Sequence, residues 1–189
     1  MPDLIDVAKL FASGQLKFKK GEIEFLQQDV VMVPVDWIIT LQKRLENQNS
    51  ENLIYYTGKE IGVRWFKGLY DKFKISWEDV FKWGMNTVSV AGWGETSIPE
   101  INSKDKLFTV KLEKSAGAKG FGKVGYAVDN FIRGAYASGG NVLFGVECDG
   151  IELTCESEGA PFCKFLVQPT NRFDKKDPRV MKQLKLPKI

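Results

Sequence analysis

Cys155 and Cys163 stand eight residues apart, with Glu152 three positions before the first, Gly159 midway and Phe165 two beyond the second. A glycine-containing turn between two strands can bring both sulfurs together. Thiolates suit Zn²⁺, and a carboxylate can complete a tetrahedral site. Spacing alone leaves a second reading open, because buried cysteines often behave as small hydrophobes. Cys148 lies outside the pattern and reads as a packed thiol. Other chemistry is narrowed by composition: the 189 residues include no histidine. That removes Ser-His-Asp and Cys-His catalysis, His-rich metal sites and His-based pH switching.

The remaining constellations are weaker. Gly117, Gly120, Gly122 and Gly125 with Lys119 and Lys123 match neither phosphate-loop nor dinucleotide spacing. They read as a mobile loop between a strand and a helix. Glu156 and Glu158 read as a solvated acidic turn. No nucleophile beside a base is visible, and no nucleotide fingerprint.

The elements that must position these residues follow from periodicity. Leu4 to Phe11 reads as a short helix, and residues 15–26 as a hairpin around Gly21. Val30 to Val33 reads as a strand, and Pro34 opens a helix through Trp37, Ile38, Leu41 and Leu45. A long helix from Ser50 carries Ile54, Gly58, Ile61, Trp65 and Leu69 on one stripe. Gly58 and Gly62, one turn apart, let another backbone approach closely. Ser76 caps the next helix, which has an acidic first turn and runs to about Val88. Strands follow at 95–101 and 107–112, then a helix from about Lys123 to Phe144 stopped by Gly145. Residues 151–154 and 163–167 read as strands. Helices and antiparallel strands without strict alternation make an α+β chain.

Three stretches are distinguished: a lead-in at 1–48, a main unit at 49–170 and a basic tail at 171–189. Lys and Arg total 27 against 24 Asp and Glu, a net +3. The tail holds seven basic and two acidic residues, so it carries +5 and the body −2. Nucleic-acid binding by the body is not indicated. The tail reads as a solvated arm, with RNA, an acidic partner or a membrane surface as its functional alternatives. No apolar run is long enough for a transmembrane helix. The start has no basic n-region of a signal peptide, and three cysteines without such a signal point to the reducing cytoplasm.

Val128 to Phe165 resembles the 4-vinyl reductase domain, through Asp129-x-Phe131-x-x-Gly134 and then Glu152, Cys155, Gly159, Cys163 and Phe165 in register. Tyr56-x-Gly58-x-x-x-Gly62, Ser76-Trp77 and Gly92-Trp93-Gly94 extend the likeness to about residues 30–168. The resemblance implies helices packed on an antiparallel sheet, as in TRAPP tethering subunits and the sensor domains of phenol-responsive activators. It also implies a homodimer and an apolar or aromatic ligand between helices and sheet. In the phenol sensors a structural zinc is held by a helix cysteine, the glutamate and two cysteines. By position these fall on Asp129, Glu152, Cys155 and Cys163, with Asp129 departing from the cysteine of that pattern.

The lack of histidine excludes the haem-binding branch of the fold. Phe108 lies near where the phenol sensors place a hydrogen-bonding tryptophan. Phenylalanine cannot donate, which argues for a more apolar ligand. Trp65, Trp93, Phe108, Phe131 and Tyr136 are the pocket candidates, each also readable as plain core. The function expected is binding or sensing of a hydrocarbon, acyl chain or aromatic without catalysis. The alternative is a scaffold subunit of a TRAPP-like complex, with a reductase ranked below both.

Overall fold

The computed structural model describes residues 7–50 and 52–184. The tip of the predicted N-terminal helix and the last basic residues, Lys185 and Lys188, lie outside that range. In chain order the elements are α1 (Val7–Ala12), β1 (Leu16–Lys19), β2 (Glu22–Phe25), β3 (Gln28–Val30), α2 (Val35–Glu46), α3 (Asn52–Phe73) and α4 (Trp77–Val90). They continue as β4 (Glu95–Asn102), β5 (Leu107–Glu113), α5 (Ala116–Phe121), α6 (Asn130–Phe144), β6 (Cys148–Thr154), β7 (Cys163–Pro169) and α7 (Pro178–Gln183). Two antiparallel sheets result, a small one ordered β1-β2-β3 and a larger one ordered β4-β5-β7-β6. The α+β architecture with helices on antiparallel strands is the one expected.

The larger sheet forms because its strands alternate. On β5, Phe108, Val110 and Leu112 are buried and pair with Val167, Phe165 and Cys163 of β7. Successive side chains on a strand point to opposite faces, so these six share one face. That face and α3, α4 and α6 enclose one continuous apolar core. Leu10, Phe25, Ile38 and Ile39 of the lead-in belong to the same core.

α3 and α6 approach unusually closely, and glycine permits it. A Cβ on Gly58 would lie 2.1 Å from the Phe131 carbonyl oxygen, and one on Gly134 would lie 2.0 Å from that of Tyr55. Each glycine therefore seats the other helix's backbone. The buried stripe of α3 is Ile54, Tyr55, Gly58, Gly62, Phe66 and Leu69. Ile61 and Trp65, expected on that stripe, are displaced to its flank. A polar pin ties the same helices to β6. Tyr55 Oη donates to Asp149 at 2.7 Å, Lys59 Nζ to the same carboxylate at 2.8 Å, and buried Arg133 to the Gly150 carbonyl at 2.9 Å. The Arg133 guanidinium also lies 4.0 Å over the Tyr55 ring.

Four local expectations are corrected. The apolar run Val31–Val33 is not a strand; it is an exposed segment after β3. The loop expected at 115–125 contains α5, capped by Ser115 Oγ accepting from Ala118 N at 3.0 Å. The helix expected from Lys123 starts at Asn130, because residues 122–129 carry Gly122 and Gly125 at positive φ. The C-terminal stretch is not a detached arm up to residue 184. Its Phe173 and Val180 are buried against Ile151, and Asp177 caps α7. Helix boundaries elsewhere hold: Ser76 Oγ accepts from Asp79 N at 3.1 Å at the start of α4, and Gly145 ends α6 in the left-handed region.

Candidate metal cluster and apolar cavity

A three-residue 3-10 turn, Glu156–Glu158, followed by Gly159 at φ 94°, reverses the chain between β6 and β7. The reversal sets Cys155 Sγ 3.8 Å from Cys163 Sγ. Glu152 reaches the same point from β6, and Asp129 from the N-cap of α6. One ligand atom from each of Asp129, Glu152, Cys155 and Cys163 lies within 4.8 Å of all the others, and all four residues are buried. The structure thus brings together the whole predicted metal set.

The surroundings hold these groups in place. Asp129 makes no capping bond to α6. Its two carboxylate oxygens instead accept from Ser115 Oγ at 2.7 and 2.9 Å. Gly117 leaves room for it, since a Cβ there would lie 2.2 Å from Asp129 Oδ1. Glu152 Oε2 accepts from Asp129 N at 3.2 Å, while Glu152 Oε1 is buried without a partner. Gln183 of α7 brackets the Glu152 main chain, accepting from its N at 2.7 Å and donating to its O at 2.9 Å. Arg179 donates to the same carbonyl at 2.9 Å. Ser115, Gln183 and Arg179 were missed from sequence. The signal for Ser115 was its position before a small-residue helical stretch, and nothing local marked the other two.

Four acidic groups crowded out of water cannot all ionise without a cation. Burial, with the Cys155 charge beside it, pushes the Asp129 carboxyl up to about 6. Burial also raises Glu152 well above the usual carboxylate range. A hydrogen bond from the Cys163 thiol draws Cys155 down to about 5, and Cys163 rises in consequence. The thiol–thiol contact favours the thiolate on Cys155, the form that ligates a cation, and the cluster can hold a metal ion. Zinc fits this donor set. Tetrahedral Zn–S bonds of about 2.3 Å place two sulfurs about 3.8 Å apart, which is the separation found. The unpaired Glu152 oxygen supplies an available carboxylate ligand.

The second feature is a cavity of about 550 Å³ between α3, α4, α6 and the small sheet. Trp65, Trp93, Phe131 and Tyr136 line it. Trp93 stacks on Phe131 with ring centroids 5.1 Å apart, and Tyr136 Oη pairs with Thr96 Oγ1 at 3.0 Å. Phe108 is not in its wall. It is wholly buried, packed at 5.1 Å against Phe81 and 6.1 Å against Phe144, so aromatic rings fill that part of the core. Phe66 and Met85 line the cavity without having been predicted. The rim is the exposed segment containing Val31, 81% exposed, Met32, 76%, and Trp37, 57%. No helix among the described residues is long and apolar enough to cross a membrane.

No protein-family model matches the chain, and no curated protein matches it. Solved structures do. The phenol-responsive sensory domain of the transcription activator PoxR, crystallised with phenol, matches at TM-score 0.73 and 19% identity, over 96% of each chain. A vinyl-4-reductase family protein from Methanocaldococcus jannaschii matches at TM-score 0.50 and 20% identity, over 74% of this chain and 83% of that one. A trafficking protein particle complex subunit 3 from Naegleria fowleri, covalently bound to palmitic acid, matches at 0.47 and 11%, over 71% and 93%. The chain shares its fold with the phenol-sensing domain and the vinyl-4-reductase family protein, the two kinds of protein that its motif residues resemble.

Proposed function

We propose that this protein is a non-catalytic binding module for an apolar small molecule, hydrocarbon, acyl or aromatic, with a structural zinc. The observation that carries the reading is the cavity. Its volume of about 550 Å³ falls within the roughly 300–1,000 Å³ typical of small-molecule sites. Its apolar wall would supply most of the affinity, at about 25 cal/mol per Å² buried. The ligand-bearing sensory domain of the same fold supports it. Zinc would be held by Asp129, Glu152, Cys155 and Cys163. When bound it would fix the β6–β7 turn to the start of α6, and the residues themselves need only position and neutralise it. The buried free thiols suit a reducing compartment such as the cytoplasm.

Native mass spectrometry of the purified protein, with a thermal-shift panel of alkanes, acyl compounds and aromatics, tests the reading. A co-purified or added ligand at one per chain is expected. No bound species and no shift by any compound would overturn it, and steady turnover of a vinyl substrate would replace it with an enzyme.

The exposed rim favours a second reading, a scaffold subunit, and a homodimer is compatible with either. Val31, Met32, Val33 and Trp37 are all exposed at the mouth of the cavity, and exposed apolar surface of this sort can serve a protein partner. Light scattering reads the dimer directly. A stoichiometric heterologous partner with an unliganded cavity would select the scaffold.

A further inference from the structure

Asp129 belongs to two structures at once. Its carboxylate stands in the metal cluster, held there by Ser115 Oγ. Its main chain is the N-cap of α6, a helix that begins with no side-chain cap. Two and three residues further on, Phe131 and Ile132 line the cavity. Ser115 adds a second link. The amide of its neighbour Ala116 donates to the Trp93 carbonyl at 3.0 Å, and the Trp93 ring stacks on Phe131 at 5.1 Å. Ile38, Trp93, Phe131 and Ile132 line both the cavity and a small crevice that reaches Asp129 and Gly117. The cluster and the cavity thus share one wall. The Asp129 carboxylate also has a competing place. An aspartate at an N-cap ordinarily accepts from the N2 or N3 amide, here Phe131 N or Ile132 N, and the positive end of a helix attracts it. Coupling between two sites needs such an element with two arrangements.

We propose that Asp129 couples the metal cluster to the cavity, so that the metal-loaded protein binds its apolar ligand more tightly than the metal-free one. A bound cation commits the carboxylate to the cluster and fixes the start of α6 with the Trp93–Phe131 wall. Without the cation the carboxylate is divided between the cluster and the α6 amides, and the ligand must order that wall at its own cost. The proposal rests on the readings that the cavity binds a small molecule and that the cluster holds zinc.

Naphthalene and undecane, titrated by calorimetry into zinc-loaded and chelated protein, test it, with circular dichroism checking that the chelated form is folded. Both probes are expected to bind the zinc-loaded form about 5-fold tighter or more, the lower end of typical coupling. Reciprocity requires saturating naphthalene to tighten zinc by the same factor in competition with a colorimetric chelator. Zinc alone should move the Trp93 indole ¹H–¹⁵N signal, identified by its loss in Trp93→Phe, and leave that of Trp77 in place. In Asp129→Cys, whose thiol is only a weak acceptor for the helix amides, zinc should still bind and the ratio of probe affinities should shrink toward one. Equal affinity in the two forms, tighter binding by the metal-free form, or a ratio unchanged in Asp129→Cys would overturn the coupling alone. Failure of both probes to bind either form overturns the binding reading with it, and failure of zinc to load overturns the metal reading with it. If the chelated protein does not fold, cobalt-loaded protein decides: naphthalene must shift the visible cobalt band, and an unmoved band overturns the proposal.

Discussion

Cys155 Sγ and Cys163 Sγ lie 3.8 Å apart at the base of the β6–β7 turn, fully buried and not joined as a disulfide. That spacing is too long for an S–S bond of about 2.05 Å and matches two thiolates on one tetrahedral metal. Asp129 and Glu152 close on the same point from α6 and β6. The arrangement ties three successive elements, the start of α6, β6 and β7, at one spot, so its loss should be felt as instability.

Cys155→Ser and Cys163→Ser are each expected to abolish stoichiometric zinc, read by elemental analysis of the purified protein. A metal present at a thousandfold its Kd stabilises by about 4 kcal/mol. At roughly 2–4 °C per kcal/mol for a chain of this size, the melting temperature should fall by about 8–16 °C. Chelation should produce the same drop in the native protein. Unchanged melting after thorough chelation would refute a structural metal.

Asp129→Cys restores a third thiolate where the aspartate stands. Softer ligands favour zinc, so competition against a colorimetric chelator should show tighter binding than in the native protein. A weaker or unchanged affinity would mean that Asp129 is not a ligand.

Gly58→Ala forces a Cβ to within 2.1 Å of the Phe131 carbonyl oxygen, a backbone atom that cannot step aside. Alanine's helix preference offsets only about 1 kcal/mol, so a net loss of about 2 kcal/mol or more is expected in denaturant titration. Gly68→Ala is the contrast. Its Cβ meets only the end of the flexible Gln28 side chain, and stability should hold or rise by up to about 1 kcal/mol.

Val88→Trp fills the cavity from α4, since Val88 lines it and is only half-buried. Ligand-induced thermal shifts should disappear. The unliganded melting temperature should change little, because the added ring enters existing space. Retained binding would place the ligand elsewhere.

Burial pushes the Cys148 thiol up to about 11 from an ordinary 9.0. The fold favours the neutral thiol, so this residue's contribution is intact below about pH 9 and is lost as pH rises toward 11. At pH 8 native Cys148 should resist iodoacetamide and label only after denaturation, as read by peptide mass spectrometry. Rapid labelling of the folded protein would contradict its burial.

Much of this was legible in the residues themselves. Alternating apolar residues at 107–112 and 163–167 specify half-buried strands, and Glu152, Cys155, Gly159 and Cys163 lie close enough in sequence for one turn to unite them. Ser76 and Gly145 announce helix ends because capping is a local interaction. Periodicity failed where long-range contacts decide. Ile61 and Trp65 have the spacing of a core stripe, yet the glycine-mediated approach of α6 rotates Gly62 and Phe66 inward and leaves Trp65 on a cavity wall. The apolar run 31–33 looked like a strand, because hydrophobicity alone cannot tell a buried segment from the rim of a cavity. The basic tail looked solvated, because charge dominates its composition; Phe173 and Val180 dock only because β6 offers Ile151.

Residue type and short-range spacing were enough for the class of fold, the exclusion of histidine chemistry and the two thiols of the candidate metal site. Tertiary structure decided that Asp129 meets those thiols and Glu152, that Ser115 and Gln183 buttress the carboxylates, and that Phe108 is filled core while Trp65 stands on a cavity wall. Those outcomes depend on which backbones approach most closely, and the packing of α3 against α6 sets that distance.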